Sequence, residues 1–477
     1  MPWRETVEPV RMERVALLAP TATWRHVLVA VADAGAMEID RVSDAAETAP
    51  NEAERRLQGL NVDGDPEPRL LREVPDLDEI MATLPPEDAA ALLAGESALG
   101  DVSGDAVRRG SVAALTGWVP ARLRRELAER IATDGGALVP LPVPRGTDPP
   151  TQLVTRGRLG QSFEPLVRTY ATVPYADLDP TIVAGLAYVF MFGMMFADAG
   201  HGLLLLVLGL LLRAGRLPGV ERFRKVWPFV VGAGITSTIF GVLFGEFFGP
   251  TGVLEPLWLD PLEEPITLLG AAIGVGAVLL AGSYLLGTAN RWRENGWRTA
   301  LVAQSGLAGI ALFLGLGFVA WGVAVDATVL VVAGAVVAVV GVVLTYIGLL
   351  AASGGGGAGA AQATVEVFDA VIRLGTSLVS FARLAAFGLA HAALTALVWE
   401  GATALAGSGP LGWLAGAALF LVGNAVIFGF EALVAGIQAL RLEYYELFSR
   451  VFESEGRPFV PWHVPLLSTD NRSEVSE

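Results

Sequence analysis

The sequence predicts a mainly α-helical, polytopic membrane bundle of about eight helices, the last two long and tilted, preceded by a small cytosolic α/β domain. Three observations predict it. The chain of 477 residues is 53% hydrophobic, with mean hydropathy +0.53, too apolar for a soluble protein of this length. The apolar residues are unevenly placed: 1–180 is polar, Pro-rich and charged, whereas 181–447 is mostly apolar. The apolar part also divides into runs long enough to cross a bilayer, which takes about 20 residues. The organisation expected is a cytosolic domain over 1–178, a membrane domain over 179–450 and a cytosolic tail over 451–477. The net charge of −16 argues against nucleic acid as a partner. There is no cysteine, so thiolate metal sites are excluded. Trp3, Arg4, Glu5 and Glu8 lead into no apolar signal segment, so the first domain is expected to begin in the cytosol.

Two units of the first domain read alike. Glu13–Leu18 is strand-like, Thr21–Ala34 helical and Ala36–Val42 strand-like again, with Thr21 as N-cap and Gly35 as stop. Ser111–Trp118, Pro120–Thr133 and Ala137–Val143 repeat the pattern. Pro120 suits a first helical turn, and Gly135 and Gly136 a helix end. Two strand–helix–strand units predict a small, ferredoxin-like α/β lobe. Between them, 44–110 is acidic, with short helices expected around 52–58 and 86–95 and no long heptad. Residues 144–178 read as an extended connector, because Pro and Gly recur. No phosphate-binding glycine loop is present; Gly354–Gly357 reads as a linker between apolar segments.

The apolar runs lie near 181–213, 225–248, 265–288, 299–323, 327–352, 370–405 and 411–446. Connectors 213–225 and 289–298 are rich in Arg, whereas 249–264 carries Glu255, Asp260, Glu263 and Glu264 and no basic residue. The excess of positive charge on cytosolic loops puts the first two inside and the third outside. With 1–180 also inside, run 181–213 must start and finish on one side. It is therefore expected to be a hairpin of two short helices turning near Asp198–Gly202, which makes eight segments with both termini in the cytosol.

The last two helices carry the informative polar residues. Arg383 lies deep in an apolar segment. Its guanidinium cannot lose its charge and costs about 2.5–3.5 kcal/mol at mid-membrane on insertion scales. It needs a partner. Asp369 and Arg373 lie at the cytosolic end of the same helix and His391 eight residues further out. In the final helix Glu431 is deep, and Gln438 and Arg441, at i and i+3, share a face nearer the cytosol. Intramembrane ionisable residues mark ion paths or structural pairs. On spacing alone, a packing salt bridge between Glu431 and Arg383, a snorkelling Arg441, a hydrogen-bonded core His391 and a turn residue at His201 all stand beside the ion-path reading.

At these residues the chain resembles the membrane stator subunit of V-type and A-type rotary ATPases, in a short prokaryotic form. Asp179-Pro-Thr181 and Phe190-Met-Phe-Gly-Met-Met-Phe-Ala-Asp-Ala-Gly-His-Gly202 resemble the family's first membrane motif. Phe240-Gly-Val-Leu-Phe-Gly-Glu-Phe-Phe-Gly249 resembles its next helix end, and Ser380-Phe-Ala-Arg-Leu with His391 the helix bearing the essential arginine. Gln438-Ala-Leu-Arg-Leu-Glu-Tyr-Tyr-Glu-Leu-Phe448, Phe452 and Gly456-Arg-Pro-Phe459 resemble the final helix and tail. Gly117-Trp-Val-Pro120 and Pro150-Thr151 resemble its soluble domain.

The resemblance implies roles. Arg383 matches the ring-facing arginine, Arg441 a supporting arginine and Gln438 a polar neighbour of that pair. Glu431 and His391 match positions of an ion half-channel, and Asp369 falls near an acidic position before the arginine. The partners implied are a proteolipid ring, peripheral-stalk subunits, the central-stalk and ATP-hydrolysing subunits, and the lipid bilayer. The localisation implied is the cell membrane, multi-pass. The activity is that of a non-ATP-binding subunit of a proton-translocating rotary ATPase or ATP synthase, and no cofactor or metal is expected. One departure is that 44–110 is too short for the family's long paired helical arms. Two rival classes are a secondary transporter with a midplane charge site, for which no internal repeat is evident, and a non-catalytic scaffold, which would not need Arg383, Glu431, Gln438 and Arg441 at membrane depth.

Overall fold

The computed structural model describes residues 8–40, 50–60, 64–144, 146–153, 157–216, 219–452 and 455–467. The chain forms two compact units. One comprises Val10–Gln152 with Gly456–Glu477, the other Met1–Pro9 with Leu153–Glu455.

The first unit runs β1 (Met12–Pro20), α1 (Trp24–Ala34), β2 (Glu38–Ile39), α2 (Glu52–Gly59), α3 (Leu77–Thr83), α4 (Pro86–Gly104), β3 (Val107–Arg109), β4 (Val112–Pro120), α5 (Arg124–Ala132) and β5 (Ala137–Pro140). Its sheet has the order β2-β4-β1-β5, antiparallel throughout, with β3 added beside β4. This interleaving of two strand–helix–strand units is the split βαβ arrangement of ferredoxin-like lobes. Strand alternation buries Val15, Leu17 and Ala19 against Val27, Leu28 and Val31 of α1. Each fully buried Leu or Val contributes about 1.5–3 kcal/mol. Gly35 ends α1 in the left-handed conformation at φ 55°, as expected of a glycine stop.

Two local expectations fail. Thr23, not Thr21, precedes α1, and its side chain caps nothing. Pro120 closes β4 opposite Met12 instead of opening a helix, and α5 starts four residues later. In both places strand pairing extends further than local propensity indicates. Among the described residues of 44–110 the longest helix is α4, at 19 residues, and α2 and α3 both pack on it. Residues 456–467 lie on this unit: Trp462 N–H donates to Met37 O at 2.9 Å, Val464 N–H to Ala32 O at 3.1 Å, and Val464 joins the core.

The second unit contains α6 (Gly157–Tyr170), α7 (Thr181–Met195), α8 (Ala199–Ala214), α9 (Trp227–Phe244), α10 (Pro265–Asn295), α11 (Trp297–Val302), α12 (Leu307–Ala324), α13 (Thr328–Ala352), α14 (Gly356–Ser380), α15 (Ala382–Ala406) and α16 (Pro410–Leu442). Among the described residues, six helical stretches are long and apolar enough to cross a bilayer, and α7 and α8 are two shorter apolar helices. The connector 144–178 contains α6, contrary to expectation, with Pro165 inside it. Its buried Phe163 and Val167 pack on neighbouring helices, and that packing overrides the poor propensity of Pro and Gly.

Glycines bring α7, α8 and α9 together, as small residues do where lipid gives no hydrophobic drive for helix association. Gly193 of α7 faces Thr236 and Gly232 of α9 faces Val189, so these two helices run parallel. Gly202 of α8 faces Thr238 and Gly209 faces Val231, so α8 runs antiparallel to α9. The chain therefore reverses between α7 and α8, as charge parity along the sequence requires. A Cβ on Gly241 would lie 2.0 Å from the Ala199 nitrogen, so only glycine allows that approach. α14 and α15 form a 51-residue helical stretch, interrupted by a turn at Phe381, whose ring is fully buried. α16 has 33 residues, about 50 Å at 1.5 Å per residue. That exceeds the roughly 30 Å hydrocarbon core, so α16 must tilt or project beyond it. It continues into a π-helical turn, Glu443–Phe448.

Candidate functional site

A buried polar cluster forms where the α7–α8 break, the loop after α9, α15 and α16 meet. Asp198 is the N-cap of α8, and its Oδ1 accepts from His201 N–H at 2.8 Å. The same carboxylate accepts from Phe248 N–H at 3.0 Å and Gly249 N–H at 2.9 Å. Positive φ at Phe248 (52°) and Gly249 (94°) bends this loop so that successive N–H groups converge on one anion. A Cβ on Gly249 would sit 3.0 Å from Thr395 O, which places the loop against α15. There Thr395 donates to His391 O at 2.9 Å.

His391 is 2% exposed. Its Nδ1 contacts Glu431 of α16, and its Nε2 lies 3.9 Å from Asp198 Oδ2. His201 is fully buried, with Nδ1 3.7 Å from Asp198 Oδ1 and ring centroids 5.5 Å from His391. Glu431 thus pairs with His391, and the salt bridge to Arg383 that its spacing allowed does not form. Asp198 and His201 lie in the motif the sequence singled out, but a turn residue was the plainer reading of His201. The signal was an Asp and a His at i, i+3 between two apolar runs.

Arg383 begins α15, about 12 Å along the axis from His391. It is partly buried, and its Nη1 is buried without a hydrogen-bond partner. Among the described residues no carboxylate forms an ion pair with it. Its face of α15 continues through Ala386, Ala390, Ala393 and Leu397, all exposed. On α16 the exposed residues Val426, Phe430, Leu433 and Ile437 lead, at intervals of three or four, to exposed Arg441. Arg383 lies within electrostatic reach of Arg441 and Glu446. Gln438 is partly buried, with its Oε1 unpartnered. The last two helices therefore bring Arg383 and Arg441 near one another and keep both apart from the Glu431–His391 pair.

Toward the other end lies a cavity of about 360 Å³ whose lining includes Gln304, Thr345, Arg373, Ser377, Glu446 and Arg450. Asp369 pairs with Arg373, one turn away, on an exposed face. Arg450 is buried and donates to Ser377 Oγ at 2.9 Å and Glu446 O at 2.9 Å. Sequence reasoning singled out neither Glu446 nor Arg450. It also missed Glu443, 1% exposed with an unpartnered carboxylate oxygen. A further polar knot lies outside the apolar helices. Asp177 is fully buried 3.8 Å from Arg291, and burial, with Glu294 beside it, pushes its carboxyl well above the ordinary value of 3.8.

Residues 107–219 match the V-type ATPase 116kDa subunit family. The A-type ATP synthase subunit I of Pyrococcus horikoshii is 30% identical over 369 residues, which cover 73% of this chain and 53% of that protein. By these matches the chain is similar to the V-type ATPase 116kDa subunit family. The matched stretch extends from β3 through α8 and includes Asp198 and His201. A V-type ATP synthase subunit I of Treponema pallidum is 34% identical over 152 residues, 30% of this chain and 34% of that protein. The Halobacterium salinarum A-type ATP synthase subunit I is 27% identical over 403 residues, 69% of this chain and 53% of that protein. The chain spans about half the length of the curated A-type relatives it matches. This is the family that the motifs around Asp198, Arg383 and Arg441 resemble.

Proposed function

We propose that this chain is the stator subunit that forms two ion half-channels against a proteolipid ring and couples proton translocation to ring rotation. The observation that carries the reading is Arg383, a permanent cation on an exposed face with no ion-pair partner among the described residues. Its cost is tolerable when a counter-charge arrives from another subunit. The alanines beyond it leave room for a second helix to approach closely.

In this mechanism a ring carboxylate stays protonated in lipid and ionises when it faces Arg383, because an opposite charge favours the charged form. Arg441 and Gln438 support that position. Glu431 and His391 serve the outer path. The cavity lined by Arg373, Ser377 and Glu446 serves the inner path, with Asp369 at its edge through Arg373. The fixed cation separates the two paths by repelling a passing proton. ATP is handled by other subunits of the complex, and peripheral-stalk and central-stalk subunits are the remaining partners. The protein resides in the cell membrane with both termini in the cytosol, and its 1–178 domain meets the peripheral stalk.

The cysteine-free chain offers a direct test. Ala390→Cys should cross-link to a single cysteine on the proteolipid helix within the assembled complex. Val336→Cys, on an exposed position of α13, should not. Cross-linking at Val336 and none at Ala390 would assign the ring to another face and defeat the proposal.

A further inference from the structure

We propose that Asp198, His201 and His391 form a site for a first-row divalent metal of the kind Zn2+ represents. One carboxylate and two imidazoles are a common donor set for such ions. Their ligand atoms all lie within 4.8 Å of one another. The separations from Asp198 are 3.7 Å to His201 Nδ1 and 3.9 Å to His391 Nε2. Bonds of 2.0–2.1 Å in tetrahedral geometry need about 3.3 Å between ligand atoms, so ligand atoms that lie within 4.8 Å of one another must close by up to about 1.5 Å.

A second, independent observation is the unmet hydrogen bonding. His201 is fully buried with no close hydrogen bond to either ring nitrogen, and His391 Nε2 is likewise buried, with Asp198 no nearer than 3.9 Å. Buried polar groups rarely go unsatisfied, and these atoms face one another across the gap that an ion would fill. The orientation is held from behind. Three backbone N–H groups fix both oxygens of Asp198. Glu431 takes the Nδ1 side of His391 and turns Nε2 toward Asp198, the carboxylate–histidine arrangement that supports metal-bound imidazoles. Imidazole nitrogens disfavour Mg2+ and Ca2+, which take oxygen ligands. A metal held here would immobilise His391. Where the proposed outer path is correct, it would also stop proton passage, and that consequence alone rests on the functional reading.

The test is Zn2+ binding by the full chain purified in detergent. The background is low: the chain has no cysteine and four histidines, the other two being His26 and His463 of the first unit. We expect one saturable Zn2+ per chain, lost in His201→Asn and retained in the His26→Ala/His463→Ala double variant. Glu431→Gln keeps all three ligands and should weaken binding by about 10–100-fold, the usual effect of losing such a support; this guards against misfolding of the ligand variant. Co2+ in the same site should give the intense visible absorption of a tetrahedral ion. Absence of saturable binding, or binding that survives His201→Asn or disappears with His26 and His463, would overturn the site and leave the rotary reading intact. Tight binding without inhibition of transport by the assembled complex would instead refute the assignment of His391 to the outer path.

Discussion

Two polar sites share α15, about 12 Å apart, and are built in opposite ways. At His391 every charge is answered from within the chain, by Glu431, Asp198 and the loop N–H groups. At Arg383 the fold supplies a cation and a row of small exposed residues, with Glu446 in electrostatic reach but no ion-pair partner among the described residues. Arg450 is a control within the same unit: buried, and bonded to Ser377 and Glu446. An arginine answered internally reads as structure. One held at a surface without a partner reads as half of a site whose other half belongs to another chain.

The sharpest way to break this contrast is substitution at Arg383. Arg383→Ala and Arg383→Lys should both abolish ATP-coupled proton transport while the complex still assembles. Lys keeps a charge but loses the planar fork and the fixed protonation. Arg450→Ala should instead impair assembly, since each buried partner left unsatisfied, the Ser377 hydroxyl and the Glu446 carbonyl, costs about 1–3 kcal/mol. Proton pumping in reconstituted vesicles beside a quantitative subunit inventory decides it: near-normal transport by an assembled Arg383→Ala complex would remove the distinction.

A smaller effect is expected in the internally answered cluster. Glu431→Gln is nearly isosteric, so assembly should persist while transport slows by roughly 10²-fold, the scale of one lost acid–base group. Failed assembly would make Glu431 a purely structural partner of His391.

The smallest effect concerns stability at Asp177, where a charge is buried with incomplete answer. A carboxyl raised by burial contributes stability that is complete below its unfolded value and is lost as pH rises through the folded one. The thermal midpoint of the detergent-solubilised chain should therefore fall as pH climbs above the ordinary carboxylate range, and Asp177→Asn should flatten that fall. An unchanged slope in the variant would place the dependence elsewhere.

Legibility in the sequence followed the range of the physics. The two strand–helix–strand units were legible because alternation and glycine stops are local. The helix reversal at 196–198 was legible because loop charge imposes parity. Thr21, Pro120 and the α6 connector misled because strand pairing with β1, and the packing of Phe163 and Val167, outweigh local propensity. At the site, Arg383, His391, Glu431, Gln438 and Arg441 stood out as polar residues in apolar runs, and on α15 and α16 they separate into the Glu431–His391 pair and the neighbouring Arg383 and Arg441. Asp198 and His201 did not stand out as their companions, since some 190 residues separate them from His391 in the chain.

The sequence by itself determined that the chain is a membrane protein, where its apolar segments lie, and which charges they carry. These follow from composition and from the high cost of moving charge into lipid. Only the tertiary structure decided which charges answer each other. Side chains pair through space, and the glycine-mediated approach of α8 to α9 carries the Asp198 loop to α15. That approach sets Asp198 beside His391, whose other side Glu431 of α16 takes, and Arg383 is left open.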